Sequence, residues 1–236
     1  MTEHVFDFSK EGVRLSVKYE QLVIEPKESP KRTVPLKEIG VLIFSHPMIS
    51  CTQAVFSGLA ENGGAIVICN SKHLPTAMML PLVGHSTQCE RLIQQSDASL
   101  PMRKQLWRSI VKAKICSQAK ALEERNGDDH GLAKIAKSVR SGDLDNREAH
   151  AARRYWPLLF KGHDFRRNPD LPGINAVLNY GYAVLRAITA RAICGAGLHP
   201  TLGLHHHNRY NPYCLADDLM EPFRPVVDKV AAEIAD

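Results

Sequence analysis

Hydrophobic periodicity changes once along this chain, near residues 83–90, and that change constrains the fold more than any other feature. Before it, Val13, Leu15, Val17 and Tyr19 alternate with Arg14, Ser16 and Lys18, the period-two pattern of a half-buried strand. Leu22-Val23-Ile24 follows after a short break and is expected to pair back as a hairpin. Gly40 to Phe44 reads as a more buried strand and Ala65 to Cys69 as another. Leu74 to Leu82, punctuated by Pro75 and Pro81, reads as a last one. Between them Ala54, Val55, Phe56 and Leu59 have helical spacing, and the segment stops at Asn62-Gly63-Gly64. Beyond residue 88 the period becomes helical. Leu92, Leu106, Trp107, Ile110, Val111 and Ile115 recur among Lys, Arg and Gln, and Glu123 to Asp145 suggests short helices and loops. From Asn146 a helix is expected with Ala149, Ala152, Trp156 and Leu159 on one side and a kink at Pro157. Residues 161–173 read as a basic loop, and Ile174 to Cys194 as an apolar helix in the core of the second domain. The expected class is α+β, with a β-rich domain over 1–85 and an all-helical domain over 86–236.

The 44% hydrophobic and 23% charged content is an ordinary globular balance, which excludes disordered and fibrous classes. The N-terminus has no apolar run of a secretory signal, and stretches such as Val41 to Phe44 are far too short to span a bilayer. A cytoplasmic protein with no membrane partner is expected. The six cysteines stand at least 18 residues apart, so no Cys-x-x-Cys motif exists; small buried hydrophobes are the expectation.

Charge is uneven. Residues 1–82 carry 8 basic and 8 acidic side chains, residues 83–192 carry 19 and 11, and residues 193–236 carry 3 and 6. A basic body beside an acidic C-terminal segment suits a polyanion held against a metal, although a solvated helical surface has the same composition.

Three places can carry chemistry. Glu148 lies in the alanine-rich Asn146 to Arg153, where small neighbours leave room for a ligand; an acid in a first helical turn also simply suits the macrodipole. Gly203 to Asn208 holds adjacent His205, His206 and His207, of which at most one or two can share a metal, because adjacent side chains diverge. A polar loop with incidental histidines reads the same. In Asp217 to Pro225, Asp218 and Glu221 share a helical face, as do Asp217 and Glu221. Hard oxygen ligands of this kind suit Mg²⁺ or Mn²⁺; an acidic turn capping a helix is the plainer reading. Pooled, these residues form a mixed carboxylate–histidine set suited to metal-assisted phosphodiester chemistry.

Five stretches, in order across most of the chain, carry a resemblance: Asn62 to Pro81, Asp145 to Arg153, Ile174 to Tyr182, Gly203 to His206, and Asp218 to Asp228. The chain resembles the CRISPR-adaptation integrases, the Cas-one (Cas1) family, in its type II form. The resemblance implies an N-terminal β-sandwich used for homodimerisation and a C-terminal helical catalytic domain. It implies a metal site of Glu148, His206 and Glu221, with Asp218 assisting behind them, and Mg²⁺ or Mn²⁺ as cofactor. It implies endonuclease and integrase activity: a 3′-hydroxyl of a short DNA segment attacks a phosphodiester at the repeat edge of a CRISPR array. The implied partners are double-stranded and branched DNA, a second copy of the chain, and a dimer of the small Cas-two protein. Such chains commonly continue some tens of residues past Pro222-Phe223-Arg224-Pro225, so the resemblance also implies a short C-terminus here. Two rival readings share the same residues: a branched-DNA nuclease without integration, and a DNA-binding scaffold without catalysis.

Overall fold

A computed structural model of the chain describes residues 4–71, 73 and 75–236. It is α+β, strands first and helices after. The chain forms two compact units, Met1–Leu92 with Ala187–His199, and Ile93–Arg186 with Pro200–Asp236.

The first unit contains two four-stranded sheets. In one, β1 (His4–Phe8), β5 (Ile39–Phe44), β7 (Ala65–Cys69) and β8 (Pro75–Met79) lie in that order, the last pair antiparallel and the others parallel. In the other the order is β4 (Arg32–Pro35), β3 (Gln21–Pro26), β2 (Val13–Lys18) and β6 (Ile49–Cys51). The expected hairpin is present, with Lys18 opposite Gln21 and Leu15 opposite Ile24. Tyr19 and Glu20 take up positive φ to make its two-residue turn. The inward positions of both sheets, among them Leu15, Leu22, Ile24, Leu42 and Ile66, close over a shared core with Val55 and Leu59 of α1 (Gln53–Glu61). That burial is what makes the unit a sandwich. Within the expected final strand, Pro75 to Met79 is extended; Leu74 lies outside the described residues.

The second unit is helical. Its axis is α3 (Leu100–Asn126), whose Ser99 side chain accepts the Met102 amide and whose C-terminus ends at Gly127 in the left-handed conformation. This helix follows α2 (Gln88–Ser96) and precedes the short α4 (Leu132–Lys137). Next come α5 (Arg147–Leu159), α6 (Ile174–Gly195), α7 (Cys214–Met220) and α8 (Arg224–Ala235), with one 3-10 turn, Glu221–Phe223, joining the last two. The core gathers Trp107, Val111, Ile115, Leu122, Tyr155, Leu159, Leu178, Tyr182 and Met220. Gly181 has a packing role, since a Cβ there would lie 2.4 Å from the Val227 side chain.

Three sequence expectations are corrected. The buried face of α5 is Ala151, Tyr155 and Leu159, one step round from Ala149, Ala152 and Trp156. Only the first part of α6 belongs to the helical unit, because residues from Ala187 onward pack with the sandwich; a single boundary at 85/86 does not describe this chain. Of the six cysteines, all free, Cys214 alone is buried, while Cys89 and Cys116 are exposed. No helix among the described residues is long and apolar enough to cross a membrane.

Candidate metal centre

Glu148 stands in the first turn of α5. Asn146, at φ 51°, turns the chain into the helix, and the Asp143 carboxylate accepts the amides of Arg147 (2.9 Å) and Glu148 (3.1 Å). The turn is thereby capped by a neighbour, and the Glu148 carboxylate is left to act elsewhere. Glu221 begins the 3-10 turn between α7 and α8, with Pro222 at a position where a missing amide costs nothing.

These two glutamates, 73 positions apart in sequence, meet at a single cation. Lys114 Nζ, from the middle of α3, lies 2.5 Å from Glu148 Oε1 and 2.5 Å from Glu221 Oε2. The Lys114 and Glu221 side chains are only 13% and 7% exposed, so the contact is shielded from water. Burial by itself would lower the Lys114 pKa; the charges of Glu221 and Glu148 outweigh it and hold the ammonium above its ordinary value. Glu221 Oε1 is engaged by Arg224 Nε at 2.8 Å. Glu221 Oε2 meets the Lys114 ammonium in a close, buried ion pair.

His206 is placed by Asp218. The fully buried Asp218 carboxylate accepts the backbone amides of Leu204 (2.6 Å), His205 (2.9 Å) and His206 (3.3 Å), and lies 2.6 Å from His206 Nδ1. A carboxylate accepts, so Nδ1 carries the proton and, in the neutral ring, Nε2 is the nitrogen left for a ligand. The hydrogen bond to Asp218 is the main reason the His206 pKa is raised; Glu221 adds to it through its charge. Gly203 makes the loop possible, because a Cβ there would lie 2.4 Å from the His206 carbonyl oxygen. Trp107 buttresses the loop from below: His205 stacks on its indole at 4.3 Å, and His206 meets the same ring edge-on.

The acidic run Asp217-Asp218-Leu219-Met220-Glu221 is therefore divided among three tasks. Asp217 pairs with Arg186 (2.6 Å) and accepts from Asn211 (2.6 Å), Asp218 holds the histidine loop, and Glu221 faces Lys114 and Arg224. Beside this set runs a cleft lined by Lys114, Gln118, Arg167, Tyr182, Glu221 and Arg224 among others. Arg167 is fixed there by Asn175 and Asn179, each 2.9 Å away, and its guanidinium stacks over Tyr182. At the cleft floor Tyr155 (3.1 Å) and Tyr182 donate to the buried Asp228, whose carboxyl is pushed up to about 7 by burial against the pull of those bonds.

The four residues predicted from sequence thus have distinct places. Glu148 and Glu221 come together at Lys114, and Asp218 backs His206. As they stand, no three His, Cys, Asp or Glu side chains among the described residues are close enough to hold a metal ion. The donor chemistry and the cation position between two carboxylates nevertheless fit a hard divalent cation once the ammonium yields that position. Sequence reasoning missed Lys114, Trp107, Arg167 and Arg224. A signal was present for the first: Lys114 and Gln118 continue the apolar Trp107–Val111 stripe at helical spacing, placing polar groups on a buried face.

Comparison with known proteins bears on this geometry. The family model for CRISPR associated protein Cas1 matches residues 8–236. The chain is 42% identical over 219 residues to the CRISPR-associated endonuclease Cas1 of Neisseria meningitidis serogroup C (strain 8013), across 92% of this chain and 71% of the relative. Among solved structures, a casposase bound to integration product superposes with a TM-score of 0.75 at 24% identity, over 99% of this chain and 72% of that one. A Cas6-RT-Cas1–Cas2 complex gives a TM-score of 0.72 at 18% identity, over 99% of this chain and 28% of that one. At those identities the structural likeness speaks for the fold.

Proposed function

The chain belongs to the CRISPR-associated Cas1 family, and from that premise we propose that it is a divalent-metal-dependent DNA endonuclease and integrase centred on Glu148, His206 and Glu221. The observation that carries the proposal is the meeting of Glu148 and Glu221 at one buried cation, with His206, held by Asp218, within reach of the charge of Glu221. In this reading a 3′-hydroxyl of a short DNA segment attacks a phosphodiester at the repeat edge. A new P–O bond forms to the 3′ oxygen, the old one breaks, and the departing 3′ oxygen takes up a proton. Bound Mg²⁺ or Mn²⁺ supplies phosphate polarisation and a lowered pKa for the attacking hydroxyl.

The chain's own residues have separable parts in this. Glu148, Glu221 and the His206 Nε2 nitrogen hold the ion. Asp218 fixes the imidazole tautomer and orientation from behind, as partners of metal-bound histidines generally do. Arg167 is held by the neutral amides of Asn175 and Asn179, with no carboxylate hydrogen-bonded to it among the described residues, so it suits a DNA phosphate in the cleft.

Double-stranded and branched DNA are the proposed substrates. The likeness to a casposase–product structure favours joining, and the likeness to a Cas1–Cas2 assembly favours a Cas2 dimer as partner. A homodimer formed through the sandwich unit would supply two centres for two-strand joining. A reaction on a CRISPR array suits a cytoplasmic protein, and that is the proposed location.

The test is a joining assay with a 3′-OH duplex and a repeat-containing plasmid. The proposal predicts metal-dependent covalent joining. Cleavage without joining would mean a nuclease, and DNA binding indifferent to metal, with neither reaction, would mean a scaffold.

A further inference from the structure

Lys114 touches both glutamates of this centre, and no sequence motif marks it. Charge accounting around it is the starting point. Glu148 and Glu221 face Lys114 and Arg224, so two carboxylates meet two cations. The nearby acids are already committed, Asp217 to Arg186 and Asp218 to the histidine loop. Each of the two glutamates therefore has a cationic partner while Lys114 is in place. A divalent ion added beside a retained ammonium would bring two further positive charges against the same two carboxylates in a shielded site, which is costly at low local dielectric. The two cations also want the same oxygens, since Lys114 Nζ already lies 2.5 Å from one oxygen of each glutamate.

We propose that Lys114 is an internal counter-ion that occupies the metal position in the metal-free protein and competes with the divalent ion for Glu148 and Glu221. This rests on the metal-centre reading above and deepens it. In the metal-free state the ammonium keeps two carboxylates from repelling each other across a buried gap, so the helices that carry them stay together. When the ion binds, the ammonium gives up both carboxylates. Its long side chain also lines the cleft that holds Arg167 and Arg224, and there it meets an anionic DNA backbone. Metal without DNA must evict a well-placed cation into a cleft already rich in positive charge. Metal with DNA gives the evicted ammonium a phosphate. Metal and DNA binding are thereby coupled through one side chain.

The experiment measures Mn²⁺ affinity of the purified, DNA-free chain by electron paramagnetic resonance, with thermal unfolding recorded with and without Mn²⁺. Wild type is compared with Lys114→Gln and Lys114→Met. Removing the competitor is expected to tighten Mn²⁺ binding at least about tenfold, since a neighbouring charge commonly shifts such equilibria by that factor or more. It should also lower the metal-free Tm and enlarge the rise in Tm on adding Mn²⁺. Adding Glu221→Gln to the lysine variant should cancel the gain, which locates it at this centre. Variants that fold only when Mn²⁺ is present would also support the proposal, because the metal then replaces the ammonium. Unchanged or weaker Mn²⁺ binding by both variants, or failure to fold even with Mn²⁺, would overturn it and leave Lys114 a structural ion-pair partner. If no protein binds Mn²⁺, wild type and variants alike, the metal-centre reading falls as well; equal binding by all three removes the competition alone.

Discussion

Replacing Asp218 by alanine tests how the histidine reaches its place. The carboxylate is fully buried and receives three backbone amides, at 2.6, 2.9 and 3.3 Å, as well as His206 Nδ1 at 2.6 Å. Hydrogen bonds to a charged acceptor contribute about 1.5–3 kcal/mol each. They do not add fully here: they share one acceptor, and His205 and His206 are exposed, so their freed amides regain water. A loss of about 3–5 kcal/mol is expected, toward the top of the range for single substitutions. Asp218→Asn keeps one acceptor oxygen and should lose about half as much. Urea unfolding at constant m-value gives the number. The same variants should move the His206 titration, followed by NMR, down toward the ordinary histidine value, because the Asp218 hydrogen bond is the largest cause of its elevation. The sign follows from linkage. A pKa raised in the folded state stabilises fully below the unfolded value of about 6.5 and is lost as pH rises through the folded one. The stability gap between wild type and Asp218→Ala should therefore be wider at acid than at alkaline pH. A loss below about 1 kcal/mol with His206 titrating unchanged would refute the reasoning, since the loop would then support itself.

Glu221→Ala should abolish strand joining while DNA affinity, measured by anisotropy, changes less than about threefold, because affinity comes from Lys and Arg contacts to phosphates; collapse of both together would make Glu221 structural. DNA affinity should fall steeply with salt, and Arg167→Gln should weaken binding across sequences and reduce the log–log slope by about one; an unaltered slope would place Arg167 off the backbone path. Asp228→Asn should flatten the pH dependence of stability. With its carboxyl raised to about 7 in the fold, Asp228 stabilises below its ordinary value and loses that contribution as pH rises through about 7. The effect is bounded at about 4 kcal/mol, and equal pH profiles for the two proteins would show that Asp228 is not held neutral in the fold.

Strands whose alternation or apolar run is strong, such as Val13–Lys18 and Ala65–Cys69, were legible from sequence because side-chain period alone decides them. His4–Phe8, Arg32–Pro35 and Ile49–Cys51 were not, because each is short and lies at a sheet edge, where pairing rather than composition makes the strand. The division of α6 was invisible for a different reason. Its sequence is apolar throughout, and only tertiary contact decides that residues from Ala187 onward serve the sandwich. At the site, Glu148, His206, Asp218 and Glu221 stood out by residue type and motif. The tasks of the acidic run did not, since helical spacing puts Asp217, Asp218 and Glu221 close together but says nothing of partners 31, 12 and 107 positions away. Lys114 was hidden among the other basic residues of α3, distinguishable only by lying in line with Trp107 and Val111.

The most direct test is a crystal of the chain grown with Mn²⁺ and examined by anomalous scattering at the manganese edge. The account predicts one strong peak coordinated by Glu148, Glu221 and His206 Nε2, with Asp218 still on Nδ1 and Lys114 withdrawn from both glutamates. A peak elsewhere, or saturating Mn²⁺ with Lys114 still bridging the two carboxylates, would contradict it.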